Sequence, residues 1–209
     1  MKTISTFLFV AACQVCFAGV DTNIVAMSDW SEPVGYREVG YLGSGPAIRG
    51  RLILWKGFTP GYAGKTPETA IYVELQNMTT SGSQCEFYFG GGEGLRCELF
   101  KGDGEKVEPS VGGGYGNGPG PFGVGGWITL PHDSTIRLRA NAKGGTPDGY
   151  ALAICMWKGQ WYIRDGDTNT YSLSATLSIT SPTNRVTTLT SPIWKGTLTF
   201  PKMKISVPK

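Results

Sequence analysis

The chain has 209 residues, 19 Lys and Arg against 16 Asp and Glu, and a formal net charge of +3. That balance is too slight for an electrostatic nucleic-acid footprint. The length suits one domain, with or without an extra terminal segment, and can bury a real core without many covalent staples.

Lys2 precedes an uncharged, largely apolar run from Thr3 to Val15, then Cys16, Phe17 and Ala18 before Gly19. This is the layout of a secretory signal peptide over residues 1–18, and small Ala18 suits the position before the cut. Removing Lys2 with the leader leaves a charge of +2. The run is too short to span a bilayer, and no later apolar stretch is long enough for a transmembrane helix. Val10-Ala11-Ala12-Cys13 also resembles a lipoprotein box that would put a lipid anchor at Cys13, but cleavage at Gly19 is preferred because the apolar stretch before Cys13 is short. The chain is therefore expected to be exported, to the periplasm, the cell surface or the medium.

Beyond a terminal segment at 19–47, strict two-residue alternation predicts half-buried antiparallel strands. Ile71, Val73 and Leu75 alternate with Tyr72, Glu74 and Gln76. Ile136, Leu138 and Ala140 alternate with Arg137 and Arg139, and Tyr171 through Ile179 alternates with serines and Thr176. Weaker strands are expected at Tyr36–Leu42, Ile48–Trp55, Gln84–Phe89, Leu95–Phe100, Trp127–Leu130, Tyr150–Trp157, Gln160–Arg164, Val186–Leu189, Ile193–Phe200 and Lys202–Val207. No window carries a capped helical pattern. Many short strands broken by Gly, Pro and Asn predict an all-β antiparallel sandwich over 48–180.

Cys85, Phe87 and Phe89 share one face and Leu95, Cys97 and Leu99 another, with Gly90 to Gly94 as a turn. A hairpin centred on Gly91 would set Cys85 opposite Cys97, as a cross-strand disulfide or as two reduced buried thiols. Cys155 completes an odd set of three after the leader and reads as a buried free thiol.

Gly112 to Gly126 is mostly glycine, interrupted by Pro119 and Pro121, and reads as a long surface loop inserted between strands. Its Gly118-x-Gly120-x-x-Gly123 is no dinucleotide fingerprint, because prolines sit inside it and a strand follows. Trp-Lys-Gly recurs at Trp55, Trp157 and Trp194 and is expected to mark strand-end turns. From 181 to 209, four prolines between β-rich stretches suggest a C-terminal β extension, with Lys202 and Lys204 guarding an edge.

Ile71-Tyr72-Val73-Glu74-Leu75-Gln76-Asn77, Leu95-Arg96-Cys97-Glu98-Leu99 and Ile128-Thr129-Leu130-Pro131 resemble exported bacterial immunoglobulin-like domains. Asp148-Gly149-Tyr150 looks like the tyrosine corner of such sandwiches, although Tyr150 lies five residues before Cys155 rather than two. The resemblance covers about Ile48 to Thr180, implies an immunoglobulin-like fold and carries no functional residues.

Catalytic signals are weak. His132 is the one histidine; its neighbour Asp133 is expected to point to the opposite face, and no Gly-x-Ser-x-Gly elbow exists. One histidine and scattered cysteines give no zinc spacing. Asp165-Gly166-Asp167-Thr168-Asn169 begins like a calcium loop, but Thr170 and Thr176 stand where glycine and glutamate are needed, so it reads as a turn. No catalytic residue, metal or cofactor is therefore expected. The leading expectation is a non-enzymatic interaction or structural module of the envelope or secretome, with an unknown protein or glycan partner. The alternatives are a carbohydrate-binding module using exposed Trp and Tyr, a proteinase inhibitor, and a hydrolase with an unrecognised carboxylate pair.

Overall fold

The computed structural model describes residues 23–35, 46–61, 64–79, 82–90, 94–110, 126–140, 145–156, 159–180 and 191–207. The leader with Cys13, the expected strands Tyr36–Leu42 and Val186–Leu189, Trp157, and the glycine-rich loop up to residue 125 lie outside them. The described residues form strands and turns with no helix: β1 (Ile24–Met27), β2 (Val34–Gly35), β3 (Ala47–Gly61), β4 (Gly64–Asn77), β5 (Cys85–Phe89), β6 (Leu95–Lys101), β7 (Lys106–Val107), β8 (Gly126–Leu130), β9 (Thr135–Arg139), β10 (Tyr150–Met156), β11 (Gly159–Arg164), β12 (Thr170–Ile179) and β13 (Gly196–Ser206).

The first sheet runs β1-β3-β4-β9, with β2 also on β3, and the second runs β13-β12-β6-β7. Two-stranded units β5-β8 and β10-β11 complete a sandwich-like arrangement in which every strand ladder is antiparallel, with one isolated parallel bridge between Glu86 and Ile193. Alternation explains the pairing of faces. Leu52, Leu54, Ile71, Val73 and Leu75 of the first sheet and Leu173, Leu177, Leu198, Phe200 and Met203 of the second are buried in one core cluster. A Cβ placed on Gly50 would stand 2.8 Å from the Phe200 ring, so β3 and β13 meet face to face there.

The terminal segments are not accessory to a 48–180 unit. β1 and β2 pair with β3, and β13 pairs with β12 from Thr170↔Ser206 to Ile179↔Gly196. The two strands expected at 193–200 and 202–207 are one strand. Pro201, which has no N–H to offer, falls where the register shifts between Leu173 and Ala175, and the strand passes through it on a bulge. β13 is the outer strand of its sheet, and Lys202 and Lys204 are exposed on it.

The Cys85/Cys97 hairpin does not form. β5 pairs with β8, which sets Cys85 opposite Leu130, and β6 pairs with β12, which sets Cys97 opposite Ala175. Local turn composition suggests nearest-neighbour pairing, but the longer and more apolar β12 takes β6, and β5 pairs with β8 instead. Cys85, Cys97 and Cys155 are all free thiols.

Trp-Lys-Gly is likewise not a turn signature. Trp55-Lys56-Gly57 lies inside β3, and Trp194 precedes β13. Residues i and i+2 share a strand face, and the glycine makes room for the indole. A Cβ on Gly57 would be 1.9 Å from Trp55 Cη2, and one on Gly196 would be 3.0 Å from Trp194 Cζ2.

Candidate cleft between β6 and β11

β7 is only two residues long and pairs with Leu99 and Phe100. Beyond it the chain leaves the second sheet and crosses to β11, where Ser110 N donates to Gln160 O at 2.8 Å. Among the described residues, no strand therefore pairs with Leu95–Glu98 on the side away from β12. Trp161 pins the crossing, its Nε1 donating to Val107 O at 2.8 Å.

The gap between this open edge and β11 is a cavity of about 470 Å3. Leu95, Cys97, Ala175, Met156 and Trp161 supply its apolar lining, and Arg96, Glu98, Lys106, Glu108, Ser174 and Thr176 supply its polar one. The size falls in the range of ligand pockets, as does the mixture of apolar surface with a few polar groups. Lys106 Nζ meets Glu98 Oε1 at 2.7 Å, and that carboxylate raises the lysine above its ordinary value.

Cys97 is half-buried at this cavity, and burial pushes its thiol up to about 12. A nucleophilic cysteine needs the opposite environment. Buried Cys85 is also pushed up to about 12, by burial first and then by neighbouring Glu86. Burial raises Cys155 as well.

His132 and Asp133 differ from expectation. They lie in the turn joining β8 to β9, Asp133 has φ 54°, and His132 Nε2 lies 3.2 Å from Asp133 Oδ2. The turn, unlike an extended chain, brings the two side chains together. Both are exposed, and Ser134 Oγ donates to the His132 carbonyl rather than to the ring.

The Asp165–Asn169 segment is the turn from β11 to β12. Gly166 has φ +74°, Asp167 Oδ1 accepts from Asn169 N at 2.8 Å, and Tyr171 Oη donates to Asp167 Oδ2 at 2.7 Å. Those bonds lower the Asp167 carboxyl below its ordinary value, that of the Asn169 backbone first. Among the described residues, no group of three or more His, Cys, Asp or Glu is placed to hold a metal.

Trp161 and Trp194 are buried, while Trp30, Trp55 and Trp127 are half-buried. Trp127 meets Tyr88 edge to face at 5.8 Å, and Tyr150 lies 5.3 Å from Tyr162. Sequence reasoning missed the cleft, because it depends on which strand stops pairing and the two residues of β7 carry no pattern. No helix among the described residues is long and apolar enough to cross a membrane. Searches among protein-family models, curated proteins and solved structures find no match.

Proposed function

We propose that the chain is an exported, non-enzymatic interaction module of the cell envelope or secretome that holds an extended segment of a partner protein along the open edge of β6. The observation that carries this reading is the coincidence of the 470 Å3 cavity with strand backbone at Leu95–Glu98 that, among the described residues, no strand pairs on the side away from β12. An added strand gains main-chain hydrogen bonds from such an edge, and alternate side chains enter the adjoining pocket. Buried Met156 and Trp161 offer an apolar contact, and the Glu98–Lys106 rim offers selectivity. A thiol held protonated suits holding better than bond making. An immunoglobulin-like arrangement remains our reading of the fold: Gly149 (φ +81°) and Tyr150 open β10, and Tyr150 N donates to Pro147 O.

The test is a displayed library of linear peptides panned against the chain. Enriched peptides that protect Cys97 from alkylation and bind more weakly to Lys106→Glu are expected. No enrichment, or peptides indifferent to both, would overturn the proposal.

A further inference from the structure

The outer face of the first sheet carries an arrangement independent of the cleft. Arg49 and Arg51 are two residues apart on β3, so both leave the same face. The register sets Gln76 opposite Arg49 and Glu74 opposite Arg51, and β9 sets Arg137 opposite Glu74. Arg49 Nε donates to Gln76 Oε1 at 2.9 Å, and Arg51 Nε donates to Glu74 Oε2 at 2.5 Å. Both guanidinium groups also lie on Trp30, with Cζ 4.8 Å and 4.5 Å from the ring.

Each guanidinium is thus held through Nε and against the Trp30 ring. Among the described residues, the Nη groups of both have no hydrogen-bond partner. Holding a guanidinium this way lowers the entropic cost of recruiting its remaining donors, which match an oxyanion in a planar fork. Arg137 approaches the same Glu74 at 3.3 Å, so Arg51 and Arg137 meet one carboxylate, while Arg49 bonds the uncharged amide of Gln76. Arg51 is 25 % exposed, which lets it reach a ligand while solvent screens it less than a free surface arginine.

We propose that Trp30, Arg49 and Arg51 form a binding site for the carboxylates of an acidic polysaccharide. The indole is occupied by guanidinium groups, so charge rather than ring stacking does the recognition. The residues beside the pair across the sheet, Gln76, Thr135 and Arg137, are polar. They offer the hydrogen bonds a sugar polymer needs, beside guanidinium forks that match its carboxylates. The chain's small net charge argues against nucleic acid.

Titration of the chain with polygalacturonate, followed by calorimetry, tests the assignment. Binding that weakens with salt, is absent for the fully methyl-esterified polymer and falls about tenfold or more in Arg49→Gln is expected. Arg49→Gln leaves no buried charge unpaired, since its partner is Gln76, and an unchanged thermal midpoint verifies its fold. Arg49→Lys, which keeps the charge and loses the fork, should bind with intermediate affinity, and Lys106→Glu at the cleft should bind like the parent. Absence of binding, or binding indifferent to Arg49→Gln, would overturn the proposal. Equal or tighter binding of polyglutamate or single-stranded DNA would overturn it in favour of a peptide or nucleic-acid ligand.

Discussion

Asn77 Nδ2 donates to the carbonyl of Leu130 at 3.0 Å, tying the end of β4 to the end of β8. The same nitrogen donates to Ser83 O, and Oδ1 accepts from Thr79 N. Thr79 Oγ1 in turn accepts from Ala47 N. The β4-β9 pairing stops at this corner and the β5-β8 pairing begins, so a buried amide replaces the ladder bonds missing between them.

Asn77→Ala should therefore destabilise the chain by about 3 kcal/mol, because it strands buried backbone groups as well as losing the amide. Urea unfolding measures this; a loss below about 1 kcal/mol would show that the corner does not depend on the clamp. Asn77-Met78-Thr79 is also a glycosylation sequon, but Asn77 is fully buried with its nitrogen engaged. Folded chain should not accept a glycan there, which mass spectrometry after treatment with an oligosaccharyltransferase checks.

Glu68 is almost fully buried and pairs with Arg139, while its Oε2 has no hydrogen-bond partner among the described residues. Arg139→Ala should cost about 3 kcal/mol by leaving that charge uncompensated. Replacing both residues with leucine should recover most of the loss, as a double-mutant cycle in urea would reveal.

Two glycines should respond differently to alanine. A Cβ on Gly94 would lie 2.1 Å from the carbonyl oxygen of Ser178, whose N donates back to Gly94 O. Backbone cannot yield cheaply, so Gly94→Ala is expected to cost about 3 kcal/mol or more. At Gly57 the obstacle is the Trp55 ring, which can swing away. Gly57→Ala should cost about 1 kcal/mol and shift tryptophan fluorescence; equal losses at the two sites would contradict this account.

Alkaline pH should expose the Tyr171–Asp167 bond. Burial, then the bond to Asp167, raises Tyr171 to about 12 from the ordinary 10.0. The unfolded chain ionises first, so this stabilisation is complete below pH 10 and disappears as pH rises through about 12. For Asp167, lowered from 3.8, the sign reverses: its contribution is present above that value and lost as pH falls through the folded one. Tyr171→Phe should flatten the urea midpoint between pH 10 and 12 relative to the parent. The raised thiols are common to both proteins and cancel in the difference.

Two-residue alternation located most of the sandwich because one buried face leaves a period that no neighbour can disguise. In β12, Tyr171 to Ile179 follows that period in the folded chain. Pairing was less legible. Which strand β5 takes depends on a segment some forty residues away, and Gly90–Gly94 suggested the wrong one. β1, β2 and β7 are too short to show a period, and the cleft exists because β7 stops early. The arginine face was visible only as polar positions in strands, since register alone puts Arg49, Arg51, Glu74 and Arg137 side by side.

Amide hydrogen exchange along β6, with and without a peptide from the panning experiment, tests the central claim most directly. In the free chain, amides of Leu95–Glu98 that point away from β12 should exchange much faster than those of Leu173–Leu177, and bound peptide should slow them together with Gly159–Trp161. Equal protection of both strands in the free chain, or bound-state protection confined to another face, would contradict the open edge of β6 as the place where a partner is held.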